Sequence, residues 1–144
     1  MASDVMMVGP HRFRVDGDVI EVTMHGEVAV DDIKALQALV IEVLAARGRC
    51  YALADLAKMH GLSATARRQV AMWGQGEAER LTASVVIGSG FAMRTLITLT
   101  LNAIRLLSRA PVEVAFVSDE SAGRAWIAAH RAKLDAQRAP QASR

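Results

Sequence analysis

The first part of the chain alternates polar and apolar residues, which is the pattern of half-buried β-strands. Residues 11–15 alternate in this way, and residues 19–24 place their apolar side chains on one face. Between them, Asp16-Gly17 is a two-residue signal for a hairpin turn whose central residues need positive φ. The sequence therefore predicts a hairpin near the start of the fold.

Beyond the hairpin, apolar residues at helical spacing alternate with short apolar runs. A helix begins near Asp31 and ends at Gly48, with an apolar residue at every third or fourth position. Ser63 can cap a second helix, Pro111 blocks extension of a third, and Ser118 and Asp119 can cap the last. The predicted helices cover residues 31–47, 64–81, 91–108 and 119–134, and the later strands cover residues 50–56, 83–87 and 112–117. The order ββαβαβαβα predicts an α/β fold in which four helices cover a five-stranded mixed sheet with parallel later strands.

A single domain is expected to cover residues 10–136, because the sequence shows no internal repeat, linker or low-complexity segment. Residues 1–9 are expected to be loosely ordered, and residues 137–144 to form a frayed polar tail. The first ten residues lack the charged start and apolar centre of a signal peptide. The single cysteine, Cys50, excludes an intrachain disulfide and suits a reducing compartment, so the expected location is the cytoplasm.

Composition describes a globular chain with an aliphatic core, since 52% of the residues are hydrophobic and only 4% are aromatic. The net charge is +2, and the arginines are spread along the chain. A nucleic-acid binder usually concentrates basic residues on one face and adds stacking aromatics. No nucleic-acid partner is therefore expected.

The third predicted helix is apolar around most of its circumference. Its polar residues, at positions 94, 98, 102, 105 and 109, form one narrow stripe. Two internal arginines and Asn102 argue against a membrane span. Three explanations stay open for the wide apolar surface: neighbouring helices, a homodimer interface, or a lipid or other apolar ligand. The residues that form it are Phe91, Met93, Leu96, Ile97, Leu99, Leu101, Ile104 and Leu107.

The sequence shows no constellation of catalytic or metal-binding residues. None of the four histidines has a second His, Cys or carboxylate at a typical ligand spacing. Gly88-Ser89-Gly90 lacks both the five-residue nucleophile elbow and the third glycine of a dinucleotide fingerprint. The chain is therefore expected to be non-enzymatic and to use no metal or cofactor.

One loop carries the polar side chains that are best placed to contact a partner. Asp55 ends a predicted parallel strand, and open α/β sheets bind ligands at the carboxyl ends of such strands. Lys58 and His60 follow in residues 57–62, which are expected to form a loop.

Three segments together resemble the STAS fold of anti-sigma factor antagonists, and most closely its SpoIIAA-like branch, which is sometimes grouped with Sec14-type domains. The first segment is the hairpin at residues 13–20, and the second is the strand ending Ala54-Asp55-Leu56. The third is the strand at residues 112–117 with its capped helix, in which Ala122 precedes Ala125-Trp126. The resemblance covers about residues 10–136.

This resemblance implies a regulatory role in bacteria, exercised through contacts with other proteins. In members that act as phospho-switches, a serine accepts phosphate at the start of the second helix. Here Ala64 occupies that position, and Ser63 and Thr65 beside it are the candidate switch residues. We expect a regulatory STAS-like interaction module that self-associates, or docks another protein, through its apolar helix surface. The alternative is a carrier or sensor of a lipid or other small apolar ligand.

Overall fold

In a computed structural model, the chain is described at residues 5–75, 81–88, 90, 94–95, 97–99 and 113–142. These residues form a six-stranded sheet with helices on both faces. The strands are β1 (Val5–Val8), β2 (His11–Asp16), β3 (Val19–Val28), β4 (Tyr51–Leu62), β5 (Ala83–Ile87) and β6 (Glu113–Val117). The helices are α1 (Val30–Arg47), α2 (Ala64–Gln75) and α3 (Glu120–Ala142), and residues 94–95 and 97–99 are also helical.

The strands lie side by side in chain order, from β1 at one edge to β6 at the other. The first three strands are antiparallel, and β3 to β6 are parallel. The predicted mixed sheet with its opening hairpin is confirmed. The difference is one additional strand at the amino-terminal edge.

That strand corrects, for residues 5–8, the expectation that residues 1–9 are loosely ordered; residues 1–4 lie outside the described part of the chain. Val5–Val8 pairs with β2, with Val5 opposite Arg14 and Val8 opposite His11. The run Val-Met-Met-Val contains no strand-breaking residue, and Gly9, at φ 57°, supplies the positive φ for a tight turn. At the other end, the expected frayed tail is helical as far as Ala142. Residues 131–138 are mostly Ala, Arg, Lys, Leu and Gln, which are strong helix formers.

A second correction concerns the strands β3 and β4, which are longer than predicted. Residues 57–62 were expected to form a loop but belong to β4, which runs parallel to β3 as far as the pair Val28 and Leu62. Register shifts on either side of residues 25–26 allow this pairing to continue, and Gly26 has φ 67°. The second helix is described from Ala64 to Gln75, and Leu81, where it was predicted to end, is not helical; residues 76–80 lie outside the described part of the chain.

Two hydrophobic cores hold the helices against the sheet. The larger core lies on the face that carries α1 and α2, and it includes Phe13, Ile20, Val28, Val40 and Ala66. The smaller core lies under α3 on the opposite face, and it is built from Val19, Tyr51, Leu53, Val85 and Ile127. Side chains of the central strands alternate between these cores, as a sheet covered on both faces requires.

Candidate functional site

A groove of about 600 Å³ lies on the face that carries α3, close to the amino-terminal end of that helix. We call it the strand-end groove, since the last residues of β4 to pair with β5 open into it. Open α/β sheets place their ligands at such strand ends. Its lining includes Arg12, Thr23, Asp55, Ile87, Ser118 and Asp119.

Asp55 lies in this groove, as a residue at the carboxyl edge of parallel strands should. Its Oδ1 accepts a hydrogen bond of 3.1 Å from the backbone N–H of Ala57. This bond supports the irregular backbone at the first register shift between β3 and β4. One carboxylate oxygen of Asp55 is therefore already hydrogen-bonded to the backbone of β4.

Lys58 and His60 are exposed, and they lie on a strand rather than on a loop. Leu56 and Met59 pack into the core under α1 and α2. Register shifts lie between Asp55 and Lys58 and between Met59 and Gly61, so these side chains do not simply alternate along β4. Asp55 lines the strand-end groove, whereas Lys58 and His60 do not.

The acidic residues at the start of α3 serve the helix itself. Oδ1 of Asp119 accepts a 2.8 Å hydrogen bond from the N–H of Ala122, which makes Asp119 the cap predicted from the sequence. The carboxylate also lies favourably against the positive end of the helix dipole. This edge of the groove is therefore acidic and already hydrogen-bonded.

Arg14, Glu21 and Glu120 of the groove belong to one ion-pair network with Arg124 of α3. Glu21 accepts hydrogen bonds from Nε of Arg14 and from Nη2 of Arg124, the latter at 2.8 Å. Desolvation opposes ionisation of Glu21, but the hydrogen bond from Arg14 and the charge of Arg124 outweigh it and lower the pKa of its carboxyl. Carboxylate oxygens of Glu120 and Asp16 extend this ion-pair network, each 3.4 Å from a guanidinium nitrogen of Arg124. The network connects α3 to the hairpin and offers a polar surface for recognition.

The candidate switch residues lie at the start of α2. Ser63 Oγ accepts a 3.1 Å hydrogen bond from the N–H of Ala66, which confirms the predicted cap. Thr65 is exposed, and its Oγ1 lies 3.2 Å from Ser63 Oγ. The hydroxyl of Ser63 thus caps the helix, whereas Thr65 is an exposed residue of the first turn whose hydroxyl bonds only to that of Ser63 among the described residues.

The predicted apolar helix surface is described at two positions. Leu99 is 63% exposed, and Ile97 is half-buried. The other six residues of that surface lie outside the described part of the chain: Phe91, Met93, Leu96, Leu101, Ile104 and Leu107.

Sequence reasoning missed a buried polar chain around His11. Nε2 of His11 lies 3.0 Å from Oδ2 of Asp32, and Nδ1 accepts a 3.1 Å hydrogen bond from the N–H of His25. Because Nδ1 is an acceptor, the proton sits on Nε2 and points to the carboxylate. Asp32 also accepts the N–H of Ala29 at 2.9 Å, so this chain joins the hairpin to the start of α1.

A charged cluster beside the amino-terminal ends of β3 and β4 was also missed. Asp18 is 12% exposed, and it accepts hydrogen bonds from Arg49 (2.9 Å) and from Arg131 (2.6 Å and 3.1 Å). Desolvation would raise the pKa of Asp18, but the hydrogen bonds and charges of the two arginines outweigh it and lower that pKa. No local pattern links these residues, since Asp18 and Arg131 are 113 positions apart.

The described residues offer neither a cluster of metal ligands nor an accessible thiol. No group of three or more His, Cys, Asp or Glu side chains there is arranged to hold a metal ion. Cys50 is buried, and desolvation raises the pKa of its thiol to about 12. No helix within the described ranges is long and apolar enough to cross a membrane.

The antiparallel hairpin, the parallel β-α units and the terminal helix on the second face define a small α/β domain of the STAS type. The chain belongs to the SpoIIAA-like family, whose model matches residues 19–128. A structure of an uncharacterised DUF3478-family protein with a SpoIIAA-like fold, from Shewanella loihica PV-4, is 18% identical. That likeness has a TM-score of 0.55 and covers 87% of this chain and 91% of that one.

A second structure is that of the anti-sigma factor antagonist SpoIIAA in its unphosphorylated form. It is 10% identical, with a TM-score of 0.46, and the likeness covers 92% of this chain and 98% of that one. A comparison with curated proteins finds no match.

Proposed function

We propose that this SpoIIAA-like domain is a non-enzymatic regulatory module of the bacterial cytoplasm that binds protein, a second copy included, through its apolar helix surface. The observation that carries the proposal is Leu99, whose side chain is 63% exposed beside an apolar stretch of sequence. Burial of one such leucine contributes roughly 1.5–3 kcal/mol, so a partner that covers this surface gains substantially.

The strand-end groove supports a binding role rather than catalysis. Its carboxylates are engaged in ion pairs, caps and turns, as Glu21, Asp55 and Asp119 illustrate. Acid–base catalysis would instead need a carboxyl or imidazole within reach of a substrate proton and poised to exchange it. Charged and polar side chains dominate the lining, which favours a polypeptide over a lipid as its occupant.

Regulation is proposed at the start of α2. A phosphate on Thr65 would lie beside the unpaired N–H groups of the first helical turn, where the helix dipole favours negative charge. Ser63 is the second candidate, but its phosphorylation would have to replace the cap that its hydroxyl provides.

The test compares the wild type with Leu99→Ser by sedimentation equilibrium, using Met72→Ser as the matched control. Met72 is 59% exposed on α2 and so loses a similar apolar area. We expect Leu99→Ser to weaken association at least tenfold and Met72→Ser to leave it unchanged. Equal association of all three proteins would contradict the proposal. Native mass spectrometry of the same samples tests the alternative function, a carrier or sensor of a lipid, since a co-purified lipid would appear as added mass.

A further inference from the structure

The strand β1 forms one edge of the sheet and carries a row of backbone groups without a partner in the described part of the chain. It pairs on one side only, with β2. Its outward N–H and C=O groups are therefore available to another strand. A surface of this kind selects an extended polypeptide, because both its hydrogen bonds and its alternating side chains require one.

The side chains of β1 do nothing to protect that edge. Val5, Met6 and Met7 are 48%, 38% and 61% exposed, and the pairing with β2 shows no bulge. Natural proteins usually protect an edge strand with charges, proline or a bulge. The opposite edge strand, β6, begins with Glu113, and the guanidinium of Arg94 lies 5.5 Å from the ring of Phe116.

We propose that β1 pairs antiparallel with β1 of a second copy, so that one sheet runs through both protomers about a two-fold axis perpendicular to it. This inference rests on the proposed self-association and names a surface for it. That surface is separate from Leu99, so either surface can fail without the other.

Charge favours a second copy as the occupant. No residue of Val5–Val8 is charged, so the two copies of the strand meet without repulsion. The nearest cations are Arg12 and Arg14 of β2, in register with Met7 and Val5. The two β2 strands of the dimer would be separated by three strand spacings, roughly 14 Å. That distance exceeds the Debye length of about 8 Å at physiological ionic strength, so the arginines repel only weakly.

The symmetry fixes which residues meet. A two-fold axis perpendicular to an antiparallel pair places one residue opposite its own copy. Because Met6 and Met7 are the central residues of β1, the register that pairs most of the strand centres on one of them. Directly opposed Cα atoms lie about 4.5–5.5 Å apart, within the reach of a disulfide. The residue next to the axis would lie roughly 8 Å from its own copy, beyond that reach.

The test is disulfide trapping with Met6→Cys and Met7→Cys in the full chain under mild oxidation. The native Cys50 is buried, with the pKa of its thiol raised to about 12, and stays silent. We expect one of the two variants to form an interchain disulfide in high yield and the other to form little. Met72→Cys, at 59% exposure against 61% for Met7, measures cross-linking by random collision.

Light scattering provides a second measurement on unmodified protein. We expect Met7→Lys and Val5→Lys to lower the mass of the associated species, with unchanged circular dichroism, and Leu99→Ser to leave the β1 disulfide intact. Yields at Met6 and Met7 no higher than at Met72 would overturn the pairing, and so would cross-links to a different protein alone. Association that Leu99→Ser abolishes while the β1 variants do not would reject β1 and keep the helix surface.

Discussion

The hydroxyl of Tyr51 lies 2.8 Å from Nδ1 of His130, a contact that joins the first residue of β4 to the middle of α3. Tyr51 is fully buried, and Nε2 of His130 lies 3.1 Å from a carboxylate oxygen of Glu113. The carboxylate can only accept, so Nε2 carries the proton and Nδ1 accepts from the tyrosine. Trp126 stacks on the imidazole of His130, with the ring centroids 5.1 Å apart, so His130 makes an aromatic contact as well as these hydrogen bonds.

Replacement of His130 by phenylalanine should therefore destabilise the domain by about 1–3 kcal/mol, because the buried hydroxyl of Tyr51 loses its acceptor. The phenyl ring can keep the stacking against Trp126. Tyr51→Phe in the same background should recover about 1 kcal/mol, since it removes the unsatisfied group. Urea denaturation of the wild type, both single variants and the double variant measures this coupling.

Glu113→Gln is the control for this cycle, because the Glu113 side chain is 58% exposed. Its effect should stay below about 0.5 kcal/mol. Additive effects of the two core substitutions would show that the contact between Tyr51 and His130 contributes nothing of its own.

The opening hairpin shows how far local pattern reaches. The sequence predicts Asp16 and Gly17 as the central residues of the turn, but the structure places Gly17 and Asp18 there, with Asp16 paired to Val19. Only Gly17 has positive φ, at 62°, as a type II′ turn requires at its first central position. Gly17 therefore predicts the position of the turn to within one residue. The second central residue is Asp18, whose carboxylate accepts hydrogen bonds from two arginines.

The candidate site shows the same difference between local contacts, which the sequence predicts, and long-range contacts, which it does not. The caps at Ser63 and Asp119 follow from residues within a few positions of each, and the structure confirms them. The pair of Asp18 with Arg131 and the chain through His11 join segments far apart in sequence. Such contacts leave no periodic signal, because they depend on how the elements pack.

Asp18→Asn should cost about 2 kcal/mol at neutral pH, because the hydrogen bonds of both arginines lose their charged acceptor. The folded state lowers the pKa of Asp18 below its ordinary value of 3.8. Between the folded and unfolded pKa values the unfolded chain binds more protons, so this stabilisation is complete above the unfolded value and is lost as pH falls through the folded one. The difference between wild type and variant should therefore shrink on acidification. Urea titrations at a series of pH values measure it.

The control for this series is Asp135→Asn, since Asp135 also pairs with Arg49 but is 61% exposed. It should change stability by less than about 0.5 kcal/mol. A loss in Asp18→Asn that is the same at neutral and at strongly acidic pH would mean that the ionised carboxylate is not its source.

Gly123 permits the close approach of α3 to the sheet. A Cβ at this position would lie 2.6 Å from Cδ1 of Leu53 and 3.3 Å from Cγ1 of Val85. Gly123→Ala should destabilise the protein by about 1 kcal/mol, because overpacking outweighs the gain of about 1 kcal/mol in helix propensity. Leu53→Val in the same chain should recover part of the loss. At the exposed position Ala128, Ala128→Gly should instead lower the melting temperature, because glycine is the poorer helix former. Thermal melts should therefore show alanine as the more stable residue at position 128 and glycine as the more stable residue at position 123.

The start of α2 allows its structural and regulatory roles to be separated. Ser63→Ala removes the acceptor for the N–H of Ala66 and should cost about 1 kcal/mol, whereas Ser63→Asp keeps a capping oxygen and should remain near wild type. Thr65→Asp adds negative charge in the first turn and should stabilise α2 by about 0.3–1 kcal/mol. Amide hydrogen exchange at Ala66 reports each change directly. Equal exchange in Ser63→Ala and Ser63→Asp would remove the capping role, and faster exchange in Thr65→Asp would show that a phosphate there does not strengthen the helix.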